Sequence, residues 1–405
     1  MITPGLSEEQ EEFQRLAADF AARELAPHAA RWDAEKEFSV GTLRAAAALG
    51  FGGVYCREDV GGSALCRADA AVIFEELAAG DISHTAYLTI HNMVAHCIDR
   101  YGTEEQRQRW LPQLTTLQRL TSYCLTEPSS GSDAASLSTS ARRGGDSYVL
   151  SGTKAFISGA GVSDLYLVMA RTGKPGPRGI SAFIVEKGAP GLSFGRPEVK
   201  LGWCAQPTAA VQLDAVRVPA TNRLGEEGDG FRIAMAALDG GRVNIAACSV
   251  GGARQCLDAA RKYAAQREQF GRPIAAQQAT QFRIADMATD VQASRLLVQH
   301  AARSLDAQAP TATLDAAIAK RFATDACFAV ADRALQVFGG YGYLRDHPVE
   351  RVMRDLRVHS ILEGTNEIMR VIINRELDKL HPVAWGLAHQ AVHTCDGSHA
   401  TQDVP

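Results

Sequence analysis

Hydrophobic positions recur every three or four residues over the first third of the chain, alternate in short runs over the middle, and return to the helical period to the end. From Ser7 to about Leu120 the pattern is helical. Ser7 with Gln10, and Thr103 with Gln106, match the S/T-x-x-E/Q box that closes the free amides of a helix start. Ser39–Leu49 and Arg67–Ala79 are alanine-rich amphipathic runs, and Gly50 and Gly80 are expected to cap their ends.

Near Thr121 short β-branched and aromatic runs take over: Tyr148–Leu150, Leu165–Ala170, Ile180–Val185 and Ala209–Val218, separated by turns such as Lys174-Pro175-Gly176-Pro177. They predict a compact antiparallel β-domain. From Gly230 the helical period resumes, with Ile284, Met287, Val291 and Val298 on one face. Gln277–Gln308 and Thr313–Phe338 are long enough to pack as a bundle. The expected fold class is α+β: an N-terminal α-helical domain (1–120), a middle antiparallel β-domain (121–225), a C-terminal helical bundle (226–381) and a polar tail (382–405).

Composition narrows the function classes. The 405 residues carry 42 Lys and Arg against 46 Asp and Glu, a net charge of −4, which speaks against nucleic-acid or membrane-surface binding because both need a basic face. No apolar run is long enough to span a bilayer. The start of the chain has neither a signal-peptide nor a transit-peptide pattern, so the expected compartment is the cytoplasm. Nine scattered cysteines with no C-x-x-C pair read as reduced thiols.

Dinucleotide G-x-G-x-x-G, P-loop, H-E-x-x-H and G-x-S-x-G motifs are all missing, and no metal site is expected. His91 with His96, and His389 with His393, read as plain polar or core histidines. Five stretches are chemically richer. Tyr123 to Asp133 is dense in hydroxyls, small residues and amides suited to a phosphate or a heteroaromatic ring, although composition alone makes a linker the plainer reading. Lys154 to Gly159 sets Phe156 and Ser158 two residues apart, hence on one face of a strand. Arg267 to Ile274 is a basic turn, which reads equally as a solvated charge run, and Gln336 to Tyr343 ends a helix in glycines. In Arg354 to Ile368 a lone carboxylate, Glu363, stands between apolar neighbours and a glycine, where desolvation would make it a base, or where it simply faces a helix dipole.

Taken in this order and spacing, the five stretches closely resemble the acyl-CoA dehydrogenase family from about Ser7 to about Leu380. The resemblance implies a C-terminal four-helix bundle and an FAD held between the β-domain and that bundle. It assigns the flavin ring and a neighbouring phosphate to Tyr123, Cys124, Leu125, Thr126, Gly131 and Ser132, with Phe156, Ile157 and Ser158 packed on the isoalloxazine. Arg267, Gln277, Gln278, Gln336, Val337, Phe338, Gly339 and Gly340 match positions that hold the pyrophosphate and adenosine, partly from a neighbouring subunit, and Thr365, Asn366 and Glu367 complete the flavin contacts. Ser132, Asp239, Gly240, Gly241, Arg242 and Arg375 match acyl-CoA positions, and Glu363 matches the catalytic base.

The implied partners are an acyl-CoA, a homotetramer built as a dimer of dimers, and an electron transfer flavoprotein. Four positions depart from the common pattern. Ser129 stands where glycine is usual, Phe156 replaces a tryptophan, and Leu362 replaces a tyrosine before the base. Gly241 sits where some relatives carry an alternative base. Leu362 leaves room beside the α-carbon, which favours a short branched acyl chain. 2-Methylbutyryl-CoA or short straight-chain acyl-CoA dehydrogenation, an oxidase, and a non-catalytic assembly or interaction module of the same fold are the competing expectations.

Overall fold

In the computed structural model, which describes residues Gly5–Leu380, six helices precede the sheet: α1 (Glu8–Phe20), α2 (Ala29–Glu35), α3 (Val40–Ala47), α4 (Arg67–Gly80), α5 (Ile82–Tyr101) and α6 (Glu104–Thr115). The tail 382–405, with His389, His393 and Cys395, lies outside the described residues, as do residues 1–4. Both expected capping boxes form, Ser7 with Gln10 and Thr103 with Gln106. Gly50 takes the left-handed conformation expected after a helix, at φ 87°. Gly80 does not: it is the last residue of α4, and the cap is the extended Asp81. Its lack of a side chain serves packing instead, since a Cβ there would lie 2.9 Å from the Ala21 carbonyl oxygen and 2.9 Å from the Leu25 Cβ.

The middle of the chain forms a sheet of β1 (Thr121–Cys124), β2 (Ser140–Gly144), β3 (Ser147–Ser158), β4 (Leu165–Arg171), β5 (Ile180–Glu186), β6 (Leu192–Phe194), β7 (Thr208–Pro219) and β8 (Arg223–Leu224). The order β6-β7-β3-β2-β4-β5-β8 is antiparallel along its hairpins. The strand β1 instead runs parallel to β4, and β2 touches β4 through one parallel bridge. β1 enters from a helix rather than a hairpin, so no tight turn imposes the antiparallel direction on it.

Five helices follow: α7 (Gly230–Gln266), α8 (Gln278–Asp306), α9 (Ala312–Phe338), α10 (Pro348–Leu356) and α11 (Asn366–Leu380). α7, α8 and α9 pack on one another, α4 joins them on α7 and α8, and α11 packs on α9; Met287, Val291 and Val298 are buried and Ile284 is partly buried against the same core, as their spacing predicts. The first and last thirds of the chain share one core, in which Phe20, Phe51, Ile73 and Phe74 meet Val243, Val250, Val298 and Val330. Buried charges fix the register of that contact. Arg295 on α8 holds Glu75 at 2.6 Å, and Arg254 on α7 holds Glu76 at 2.5 Å. Buried pairs of this kind cost desolvation, so their clearest contribution is to disfavour shifted packings.

Candidate functional site

The loop between α10 and α11 carries Glu363. Glu363 and Gly364 both adopt left-handed conformations, at φ 57° and 90°, a costly choice for a residue with a side chain. α11 restarts the helix directly afterwards, with Thr365 Oγ1 accepting from the Ile368 amide at 3.3 Å. The tight reversal turns the Glu363 side chain inward, where its Oε2 is buried without a hydrogen-bond partner. Burial raises the carboxyl to about 7, against the pull of Arg242 and Lys320. A carboxyl so placed exchanges a proton near neutrality, as a general base must.

α7 supplies the floor beneath it. Arg242 donates to the Glu363 carbonyl at 3.3 Å and is held by Asp239 at 2.5 Å, whose other oxygen accepts from Thr313 at 2.8 Å. A Cβ at position 241 would lie 2.5 Å from Glu363 Oε2 and 2.8 Å from its Cδ. Gly241 therefore makes the room in which the carboxylate sits. Gly241→Ala is expected to leave stability undiminished, because the clashing atoms end a flexible side chain and alanine favours a helix by about 1 kcal/mol. Substrate-driven reduction should nonetheless slow by about tenfold or more through displacement of the base; a rate equal to the parent in stopped flow would contradict this. Gly240 faces away from Glu363, toward the Arg67 guanidinium.

On the sheet side, β1 and the end of β3 bring Tyr123 to Thr126 beside Phe156 to Ser158: the Ala155 amide donates to the Thr126 carbonyl at 2.9 Å, and Ser122 Oγ to the Ser158 carbonyl at 2.6 Å. Tyr123 is buried enough to hold its phenol well above the usual range, and it lies near enough to Glu363 and Cys97 to feel both. The turn after β1 is tied from below. Lys154, fully buried, donates to Glu127 at 2.7 Å and to the Leu125 carbonyl at 3.0 Å. Burial opposes the Glu127 charge, but Lys154 and donors from Ser138 and Thr139 hold the carboxyl down at about 2. Ser129 is not left-handed, so the turn does not require the glycine common at that position.

A bulge between Lys154 and Ile157 in the pairing of β3 with β7 breaks the alternation on which Phe156 and Ser158 would share a face. It puts Phe156 at φ 59° and leaves the residue 69% exposed, while Ile157 turns into the core. An aromatic held outward at such a backbone cost makes a platform for a planar ring. Beside it lies the hydroxyl-rich turn after β1, open at Gly131, around which a Cβ would touch nothing within 4 Å. These features fit a flavin.

The third group gathers elsewhere. Arg267, Val337, Phe338, Gly339 and Gly340 line an open cleft of about 500 Å³ with Tyr263 and Tyr341, and no residue of β1–β8 contributes to it. Arg267 stacks over Tyr341, 5.5 Å from the ring centroid. Gln336 precedes this cleft on α9; Gln277 caps α8 and accepts from Arg272 at 3.0 Å, and Gln278 opens that helix. Asn366 is buried against Lys320, Thr324 and Asp325, whereas Glu367 is exposed. Arg375 pairs only with its neighbour Glu376 among the described residues.

Two groups escaped the sequence reading. The Glu127–Lys154 pair lay inside stretches noticed for their hydroxyls and aromatic ring. Lys320 left one trace, a lysine in the run of buried Ala316, Ala317, Ala319, Ala323 and Thr324 along α9.

Three family models cover most of the chain: the acyl-CoA dehydrogenase N-terminal domain at 7–118, the middle domain at 122–216 and the C-terminal domain at 228–377. Mitochondrial isobutyryl-CoA dehydrogenase of Dictyostelium discoideum is 57% identical over 376 residues, 93% of this chain and 90% of that protein. Among solved structures, butyryl-CoA dehydrogenase from Megasphaera elsdenii superposes with a TM-score of 0.90 at 39% identity, over 93% of this chain and all of that one. A chain from a study of the electron transferring flavoprotein of Acidaminococcus fermentans also superposes with a TM-score of 0.90, at 41% identity and covering 93% and 99% of the two chains.

Proposed function

Because the chain belongs to the acyl-CoA dehydrogenase family, we propose that it oxidises isobutyryl-CoA to methacrylyl-CoA with FAD and passes the electrons to an electron transfer flavoprotein. The observation that carries the chemistry is the buried, unpartnered Glu363 oxygen in the space left by Gly241. The substrate rests on the 57% identity to an isobutyryl-CoA dehydrogenase, and the electron acceptor on the similarity to the flavoprotein study's chain.

FAD, when bound, supplies the acceptor for the β-hydride, which no side chain can provide. Phe156 and Ser158 with Tyr123 to Thr126 would hold its ring, and Arg267 with Val337 to Gly340 its pyrophosphate and adenosine. Glu363 takes the α-proton, leaving electron density on the thioester. The Glu363 amide is the donor assigned to the carbonyl oxygen, where that density collects. Arg242 holds the loop that carries the base through the Glu363 carbonyl.

The ring platform and the Arg267 cleft are separate within one chain, and Phe270 and Tyr343 stand 95% and 83% exposed near the latter. A second copy covering this face would complete the cofactor site, which supports a dimer as the basic unit of the expected homotetramer. All eight described cysteines are unpaired, in keeping with a reducing compartment such as the cytoplasm. No helix among the described residues is long and apolar enough to cross a membrane.

The direct test mixes the yellow holoenzyme with isobutyryl-CoA without oxygen. Flavin absorbance should bleach, methacrylyl-CoA should appear by mass spectrometry, and added electron transfer flavoprotein should restore turnover. Failure to bleach with isobutyryl-, 2-methylbutyryl- and butyryl-CoA alike would overturn the reading.

A further inference from the structure

Lys320 lies on α9 with its side chain fully buried, and no carboxylate comes within ion-pair distance of it among the described residues. Its ammonium rests on neutral acceptors alone, the Gly364 carbonyl at 2.8 Å and Asn366 Oδ1 at 2.9 Å. Asn366 is itself fixed by donating to Thr324 at 2.9 Å and Asp325 at 2.6 Å. An unneutralised buried cation is expensive, so a fold that retains one gains something from the charge. The carbonyl it holds belongs to the residue after Glu363, in the same left-handed reversal, and Arg242 holds the carbonyl of Glu363 itself at 3.3 Å. Two cations from different helices thus grip two successive carbonyls of the turn.

We propose that Lys320 is a positioning residue for Glu363: anchored on the Gly364 carbonyl, its ammonium fixes the reversal that aims the base and supplies positive charge beside which the base ionises. This rests on the assignment of Glu363 as base. The titratable groups facing the pair are Arg242 on α7, Asp325 on α9 and Glu367 on α11, which carry charge, and His359 on the turn after α10 and Tyr123 on β1, which burial keeps neutral. Burial lowers the Lys320 ammonium to about 8 and raises the Glu363 carboxyl to about 7, so the lysine is charged where the glutamate titrates. Removing that charge makes the carboxylate harder to form, and the base limb of the rate profile must move to higher pH.

Lys320→Gln keeps a donor for the carbonyl and removes the charge, Lys320→Met removes both, and Lys320→Arg keeps the charge. The holoenzymes are compared by the pH dependence of flavin reduction with isobutyryl-CoA, by KM, and by amide hydrogen exchange of the peptide 357–369. In Lys320→Gln the base limb should rise by about one pH unit, the low end for one nearby opposite charge, with KM little changed. Lys320→Met should add faster exchange in that peptide, by about tenfold or more. Lys320→Arg should restore the limb toward the parent. If Lys320→Met does not fold, the Gln and Arg variants carry the test. A limb in Lys320→Gln that coincides with the parent's, or moves to lower pH, overturns the proposal. The same measurement on Glu363→Gln separates the two ideas: undiminished reduction there removes the base itself, whereas lost reduction there with an unmoved Lys320→Gln profile removes only the role of the lysine.

Discussion

Glu363→Gln is expected to keep FAD and fold while substrate-driven flavin reduction falls by about 10²- to 10⁴-fold, the range of a lost general base. The amide is nearly isosteric, so the room left by Gly241 and the two gripped carbonyls remain as they are. It also relieves the fold of a buried carboxyl, so thermal stability should not fall. Among the described residues Asp239, the carboxylate that shares Arg242 with this loop, is engaged by Arg242 and Thr313. Stopped-flow reduction at the parent's rate in this variant would show that another group takes the proton.

The second large effect concerns chain length. kcat/KM for isobutyryl-CoA should exceed that for octanoyl-CoA by more than about 100-fold, with only a modest fall for 2-methylbutyryl-CoA. Leu362 is partly buried against the main core, and in the proposed substrate pose it would leave volume beside the α-carbon that a tyrosine would fill. Past Glu363, Tyr123 packs on a cluster containing Met93, Cys97, Leu125 and Ala237. One more methylene is a matter of fit, but four more carbons must displace packed side chains, for which interiors have little give. Octanoyl-CoA emerging as the best substrate of a steady-state panel would leave the family intact and remove the role given to Leu362.

The helices were legible because apolar positions at spacings of three and four, and hydroxyls three residues before Gln10 and Gln106, encode them locally. Glu363 was legible for a similar reason, its unusual apolar and glycine neighbours. What local pattern could not show is direction. Gly240 and Gly241 are adjacent in sequence yet face different partners, and Phe156 points outward only because β7 pairs past it with a residue to spare. Lys320 is the extreme case, since its acceptors arrive with a loop 44 residues further on. Gly80 misled in the other direction: a glycine at a helix end suggests a cap, but here the close approach of Ala21 and Leu25 requires it.

The core shared by the two ends of the chain constrains how the molecule is made. During synthesis α4 and α5 leave the ribosome before their counterparts on α7, α8 and α9 exist, with the whole sheet still to be translated between them. Until then Ile73, Phe74 and the acidic pair Glu75 and Glu76 lack the apolar neighbours and the arginines that α7, α8 and α9 bring. Contacts this distant in sequence close slowly, and the waiting surface is sticky. Nascent chains stalled before α7 are therefore the form on which chaperones have most to act, and the enzyme can become native only after its last third has been released.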